Sequence, residues 1–224
     1  VHLIVLKKIA LLGLIKYFEL VTFLIAALYY KKYFKSYLKY FFLLLGLVVV
    51  VEFSIWSLKE FFGMPIRNWY IYNILTSVQY VYYFILYQKV MCNARRKKFV
   101  RIFLFVFIAS VAINFLFIQR LAVDGPFHSY SFVLGAVLLI TSIGLFFAEM
   151  LQTEKILHFK TYLMFWISIG LFVFYTAVIP LILSINFLPE GISSNTLDGI
   201  LFTLNFMMYT CFSMGLIVSK KHVD

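Results

Sequence analysis

The chain has 224 residues, of which 64% are hydrophobic and only 13% charged, and its mean hydropathy is +0.97. Soluble domains hold about 45–50% apolar and about 25% charged residues, so no water-soluble fold hides this much apolar surface and lipid is the expected solvent. The net charge of +11 falls in clusters between apolar runs; that pattern points to membrane topology and anionic headgroups rather than to nucleic acid.

A spanning helix needs about 20 mostly apolar residues. Seven stretches qualify, predicted at 9–30, 38–57, 69–91, 99–119, 130–150, 162–185 and 196–218. The expectation is an all-α membrane protein, a single seven-helix transmembrane domain over residues 1–224. Continuous apolarity argues against a barrel, whose strands are shorter and alternate. No internal repeat is evident, which weighs against a repeat-built transporter.

Lys7 and Lys8 ahead of the first run resemble a signal-peptide n-region, but the run continues and no A-x-A site follows, so it reads as a retained span. It contains LIKYFELVTFLIAALYY (14–30), with Lys16 and Glu19 three residues apart in an otherwise lipid-like stretch. An ionisable group at bilayer depth costs a few kcal/mol and is a functional-site candidate by default. The first loop then supplies Lys31, Lys32, Lys35 and Lys39, and Tyr29, Tyr30, Tyr33 and Tyr37 crowd the same interface. The second span holds Glu52 and ends before Gly63 and Pro65. The third begins at Trp69 and holds Asn73 and Gln79.

The third loop is the most basic: NARRKKFVR (93–101) includes Arg95, Arg96, Lys97 and Lys98. It is a candidate contact for a partner or for anionic lipid. Asn114 lies near the outer end of the fourth span, and Asp124, Gly125, Pro126 and His128 belong to the next loop. Small residues in the fifth span, Ser131, Gly135, Ala136, Ser142 and Gly144, permit close helix packing, within the bundle or across a dimer. Glu149, Glu154 and His158 stand at i, i+5 and i+9, cover no single helix face and read as a solvated edge. Pro180 in the sixth span is a hinge candidate, or a fixed bend. Pro189, Glu190 and Gly191 mark the following loop, and Asp198 and Asn205 lie in the last span.

Fourteen Lys and Arg fall on one side of these spans and five on the other. Basic residues stay cytoplasmic, so the amino terminus is expected outside and the carboxyl terminus inside. A rise of ~1.5 Å per residue then puts Lys16, Glu19, Glu52, Asn73, Gln79, Asn114 and Asp198 in the outer half of the bilayer. These residues, with Asn205, are the ligand-binding candidates. Lys16, Glu19 and Glu52 are expected to face inward, pair and line a cavity open to the outside. The plainer readings are a snorkelling Lys16, an i, i+3 pair with Glu19, and amides that only bond neighbouring helices.

Catalytic and cofactor signatures are missing. The last predicted span has no lysine for a retinal Schiff base, and His2, His128, His158 and His222 lie at or beyond span ends, away from haem geometry. There is no H-E-x-x-H, G-x-S-x-G or P-loop. Two cysteines, Cys92 and Cys211, make neither a disulfide framework nor a metal site. No cofactor, metal or catalytic residue is expected.

Phe165-Trp166-Ile167-Ser168-Ile169-Gly170-Leu171, Phe174-Tyr175 and Pro180 resemble the sixth helix of a group of seven-helix membrane proteins of Bacteroidota. Asn205, Met208-Tyr209, Gly215 and Lys220-Lys221 resemble its seventh, and Lys31-Lys32-Tyr33-Phe34-Lys35, Leu38-Lys39-Tyr40 and Glu52 also fit its pattern. The resemblance runs over nearly the whole chain. Members occur as free-standing proteins of unknown function, and similar bundles precede sensor histidine kinases. It implies a bacterial inner-membrane protein with a sensory input role. The sequence stops at Asp224 without a kinase module, so output would pass through a cytoplasmic partner, a homo-oligomer or residues beyond it. The alternatives are a transporter or channel subunit and a structural membrane subunit.

Overall fold

In a computed structural model of the protein, residues 13–33, 36–62, 69–122, 125–187 and 193–220 are described. His2, Lys7, Lys8, Lys35, Gly63, Pro65, Arg67, Asp124, Pro189, Glu190, Gly191, Lys221 and His222 lie outside them. All regular structure among the described residues is helical: α1 (Ile15–Leu28), a single turn at Tyr30–Tyr33, α2 (Lys39–Phe62), α3 (Trp69–Val90), α4 (Ala94–Ile113) running into a π-helical turn (Asn114–Ile118), α5 (Ser129–Leu151), a 3₁₀ segment (Glu154–Thr161), α6 (Leu163–Phe187) and α7 (Ser194–Val218).

Five stretches are long and apolar enough to cross a membrane: Lys39–Phe61, Ala94–Ile118, Ser129–Leu151, Leu163–Ser184 and Asn195–Val218. The chain is therefore compatible with a multi-pass membrane protein. Two predicted spans are not among the five. Of the first, residues 13–30 are described, and the helix there, α1, has fourteen residues. α3 has the length, with 22 residues, but Asn73, Thr76, Ser77, Gln79 and six tyrosines dilute its apolarity.

The basic stretch corrects the sequence reading. Arg95 to Lys98 are not a loop but the first turn of α4, which starts at Ala94 behind the N-cap Asn93. The Asn93 side chain accepts from the N–H groups of Arg95 (3.0 Å) and Arg96 (3.1 Å). An N-cap of this kind is worth ~1 kcal/mol. Asn93→Ala is expected to lower stability by about that amount, and Asn93→Asp to hold it, in detergent unfolding curves.

The chain divides into two compact units, residues 1–49 with 158–224, and residues 50–157. In the first unit α1 and α7 run parallel: Glu19 meets Tyr209, Thr22 meets Ser213, and Tyr33 meets Leu216 and Ser219. α6 and α7 run antiparallel and close together. A Cβ on Gly170 would stand 3.0 Å from Phe212 and 3.1 Å from the Met208 carbonyl. Leu163, Met164, Ile167, Leu171, Phe212 and Leu216 form the core of this unit, and the Phe41 ring packs edge-on against Phe212 at 5.3 Å.

In the second unit α3 and α5 run parallel, through Asn73–His128, Tyr80–Phe132 and Tyr87–Phe146. α4 runs antiparallel to α5, with Arg96 beside Gln152 at one end and Asn114 beside Ser131 at the other. The small residues of α5 do their packing within this unit. Ser131, Gly135, Ala136 and Ser142 are buried, and a Cβ on Gly135 would stand 2.7 Å from Phe107 and 2.8 Å from Tyr80. Gly144 is exposed with open space beside it.

Candidate functional site

Every residue singled out in the sequence for binding is described, some in each of the two units.

In the first unit Lys16 and Glu19 are both buried on α1, 8% and 5% exposed. Glu19 Oε1 accepts from the Tyr209 hydroxyl of α7 at 3.1 Å. One turn on, Thr22 is buried and its hydroxyl stands 3.0 Å from that of Ser213. Helical spacing puts Glu19, Thr22 and Ala26 on one face, and each of the three is buried. The far end of the seam is a clasp. The Tyr33 hydroxyl donates to the Leu216 carbonyl (3.0 Å) and touches the Ser219 hydroxyl. Lys32 Nζ donates to the carbonyls of Ile217 (3.1 Å) and Ser219 (3.3 Å), a cation on the carbonyl end of α7 where the helix dipole favours it. Burial holds the Tyr33 phenol above its ordinary range, with the Ser219 hydrogen bond opposing, so it stays a neutral donor. Thr22, Tyr33, Tyr209 and Ser213 were not foreseen as contacts; hydroxyls in an apolar run announce no partner of their own.

The remaining candidates in this unit act alone. Asn205 donates to the Leu201 carbonyl of its own helix at 2.8 Å, an i−4 bond that satisfies the amide locally. Asp198 is half-buried, and its Oδ2 has no hydrogen-bond partner among the described residues. Pro180 sits inside α6 and exposed; the helix continues past it to Phe187.

In the second unit Glu52 is half-buried and accepts from the Tyr72 hydroxyl at 3.0 Å. Gln79 is half-buried on α3. Asn73 and Asn114 do more. Asn73 Nδ2 donates to the Pro126 carbonyl (3.0 Å), and its Oδ1 accepts from the His128 N–H (2.9 Å). One buried amide thus clamps α3 to the turn that enters α5. Asn114 Nδ2 donates to Ser131 Oγ (2.7 Å) and Gln119 Oε1 (3.0 Å), tying the π-helical turn to α5. Beside Asn73 is a small chamber of about 10 Å³, lined by Asn73, Thr76, Ser77, Tyr80, Phe107, Phe127, His128, Ser131 and Phe132. That is room for about one water, far below the ~300 Å³ and more of small-molecule sites.

A second polar cluster stands at the opposite end of this unit, around Glu149. Glu149 is no solvated edge: it is 5% exposed and accepts from the N–H groups of Cys92 (2.6 Å) and Asn93 (3.1 Å). Arg96 Nη1 lies 3.9 Å from it while Arg96 Nη2 donates to Gln152 Oε1 at 2.7 Å. Four basic residues in a helical first turn oppose the helix dipole. The Asn93 cap and the Glu149 carboxylate, set at that same end, offset this. Arg95 and Lys98 are left exposed and Lys97 half-buried. No group of three metal-ligating side chains occurs among the described residues.

Compared with known proteins, the chain matches no family model, no curated protein and no solved structure.

Proposed function

We propose that this is a bacterial inner-membrane protein that crosses the bilayer seven times, amino terminus outside, and works as a sensor-like bundle whose moving element is the α1–α7 seam. The observation that carries the reading is the burial of Lys16 and Glu19 on α1, with Glu19 bonded to Tyr209 of α7. Intramembrane ionisable groups are rare, face the bundle interior and mark function.

The parallel run of α1 and α7 supports an odd number of crossings, and that of α3 and α5 supports a full crossing by α4 between them. Helices α1 and α3, added to the five apolar stretches, bring the count to seven. The seam joins two levels of the membrane: the Glu19 contact at one and the Tyr33–Lys32 clasp at the other. A ligand or charge change at the first level that favours one helix arrangement would be felt at the second by population shift. Conduction of protons or ions along the seam is the weaker reading, because the buried Ala26 interrupts its polar groups between Thr22 and Tyr33.

Thr22→Cys combined with Ser213→Cys tests this in native membranes. The paired hydroxyls they replace are 3.0 Å apart, so oxidative cross-linking is expected to be efficient. Adding Glu19→Leu should change its rate by about fivefold or more, the coupling expected of two-state elements. An unchanged rate would mean a static seam and end the sensor reading. A reporter fused at residue 224 that is active only outside the cytosol would end the topology.

A further inference from the structure

His128 is the one histidine buried among the described residues, 3% exposed, and neither ring nitrogen has a hydrogen-bond partner among them. Its ring packs edge-on against Phe115 at 4.9 Å and lines the small chamber. Its backbone N–H is the group gripped by Asn73. We propose that His128 is a proton-binding site that locks the turn entering α5, residues 125–128: neutral with the Asn73 clamp closed, protonated with it open.

A neutral imidazole needs one donor and one acceptor, an imidazolium two acceptors. The chamber has room for about one water, which serves the neutral ring beside the hydroxyls of Thr76, Ser77 and Ser131. Among the described residues no acceptor stands in hydrogen-bonding geometry with either ring nitrogen. The Ser77 and Tyr80 hydroxyls are held on the Asn73 and Phe132 carbonyls, and Ser131 Oγ already accepts from Asn114.

The groups around the ring offer no compensating charge among the described residues. α3 brings Tyr80, α4 brings Phe107, the π-helical turn brings Phe115, and α5 brings Ser131 and Phe132. The connecting turn brings Arg120, itself cationic. Its backbone carbonyl favours the charged ring only in part and is outside hydrogen-bonding geometry, so burial keeps His128 below the ordinary histidine range. A charged ring is therefore hydrated by opening the turn, which breaks the bonds of Asn73 to His128 and Pro126.

The sign follows from linkage. The open turn exposes an imidazole that titrates near 6.5, and the closed turn holds one that titrates lower. The open form binds more protons, so the closed form is fully favoured above about pH 6.5 and loses ground as pH falls through that value. Opening should rise about tenfold for each unit between the two. This concerns the second unit alone and stands apart from the α1–α7 reading.

The test is hydrogen exchange of the His128 amide in the full-length protein in lipid nanodiscs at pH 7.5 and 5.0, corrected for intrinsic rates. Protection is expected to fall about tenfold or more in the wild type and to stay level in His128→Gln. A level wild type overturns the proposal. So does an equal fall in the variant, which would put the proton elsewhere. Should His128→Gln not fold, imidazole carbon shifts of wild-type His128 decide: a ring that charges in step with lost protection supports the lock, and one that charges without it overturns the lock.

Discussion

Glu149→Ala is expected to cost about 3 kcal/mol of stability, more than removal of any exposed charge in the chain. The carboxylate accepts from two backbone N–H groups at the tight turn between α3 and α4, at 2.6 Å and 3.1 Å, and is 5% exposed. Alanine removes the acceptor of both part-buried bonds, and hydrogen bonds to a charged group are worth ~1.5–3 kcal/mol. It also removes the negative charge that offsets Arg95, Arg96, Lys97 and Lys98 at the positive end of α4. The ion pair is the lesser part: at 3.9 Å the charges are at the limit of direct contact, and a pair this loose is worth ~0–1 kcal/mol. Arg96→Ala should therefore cost about a third as much as Glu149→Ala. Glu149→Gln keeps one acceptor and should fall between them. Reversible unfolding in mixed micelles by added denaturing detergent measures all three. A Glu149→Ala protein within about 0.5 kcal/mol of Arg96→Ala would show that the backbone bonds carry no weight.

Glu149 also shows where sequence reasoning stops. The helices were legible because lipid demands long apolar runs and the breakers between them are plain. Predicted 69–91, 130–150 and 162–185 are observed as Trp69–Val90, Ser129–Leu151 and Leu163–Phe187. Boundaries failed where polar residues are helical. α2 extends to Phe62 through Ser57, Lys59 and Glu60, and α4 starts at Ala94 through four basic residues. Charge alone separates neither case from a loop; the signal for α4 was Asn93, whose cap needs only the next three residues. Burial of Lys16, Glu19, Asn73 and Asn114 was legible, since a polar group in a span seeks the interior. Their partners were not. Tyr209 is 190 residues from Glu19 and His128 is 55 from Asn73, and nothing in helical periodicity links such positions. Glu149 and His128 were read as edge and loop because each stands at a helix end, where only the neighbouring turn decides whether water reaches it.

Gly215→Leu is expected to cost about 3 kcal/mol or more, by forcing α6 and α7 apart. A Cβ at Gly215 would stand 2.5 Å from Trp166 Cβ and 3.0 Å from Leu163 Cδ1. Neither neighbour gives way readily. The Trp166 indole N–H donates to the Lys160 carbonyl at 2.9 Å, and Leu163 is 1% exposed. Overpacking a well-filled core costs typically ~1–3 kcal/mol, and leucine adds three more carbons behind a Cβ that already clashes. Gly144, exposed with open space beside it, is the control: Gly144→Ala should be neutral or stabilising by up to ~1 kcal/mol through helix propensity. Equal losses at the two glycines would mean that close helix approach at Gly215 is absent. The consequence at Gly215 reaches further than packing. Leu216, Ile217 and Ser219 in the next turn hold the Tyr33 and Lys32 contacts, so moving this end of α7 pulls the clasp from the first loop. Gly215→Ala, with the smaller intrusion, should loosen that clasp before the fold is lost. Exchange of the Ser219 amide, which donates to the Gly215 carbonyl at 3.0 Å, is where that loosening should appear first.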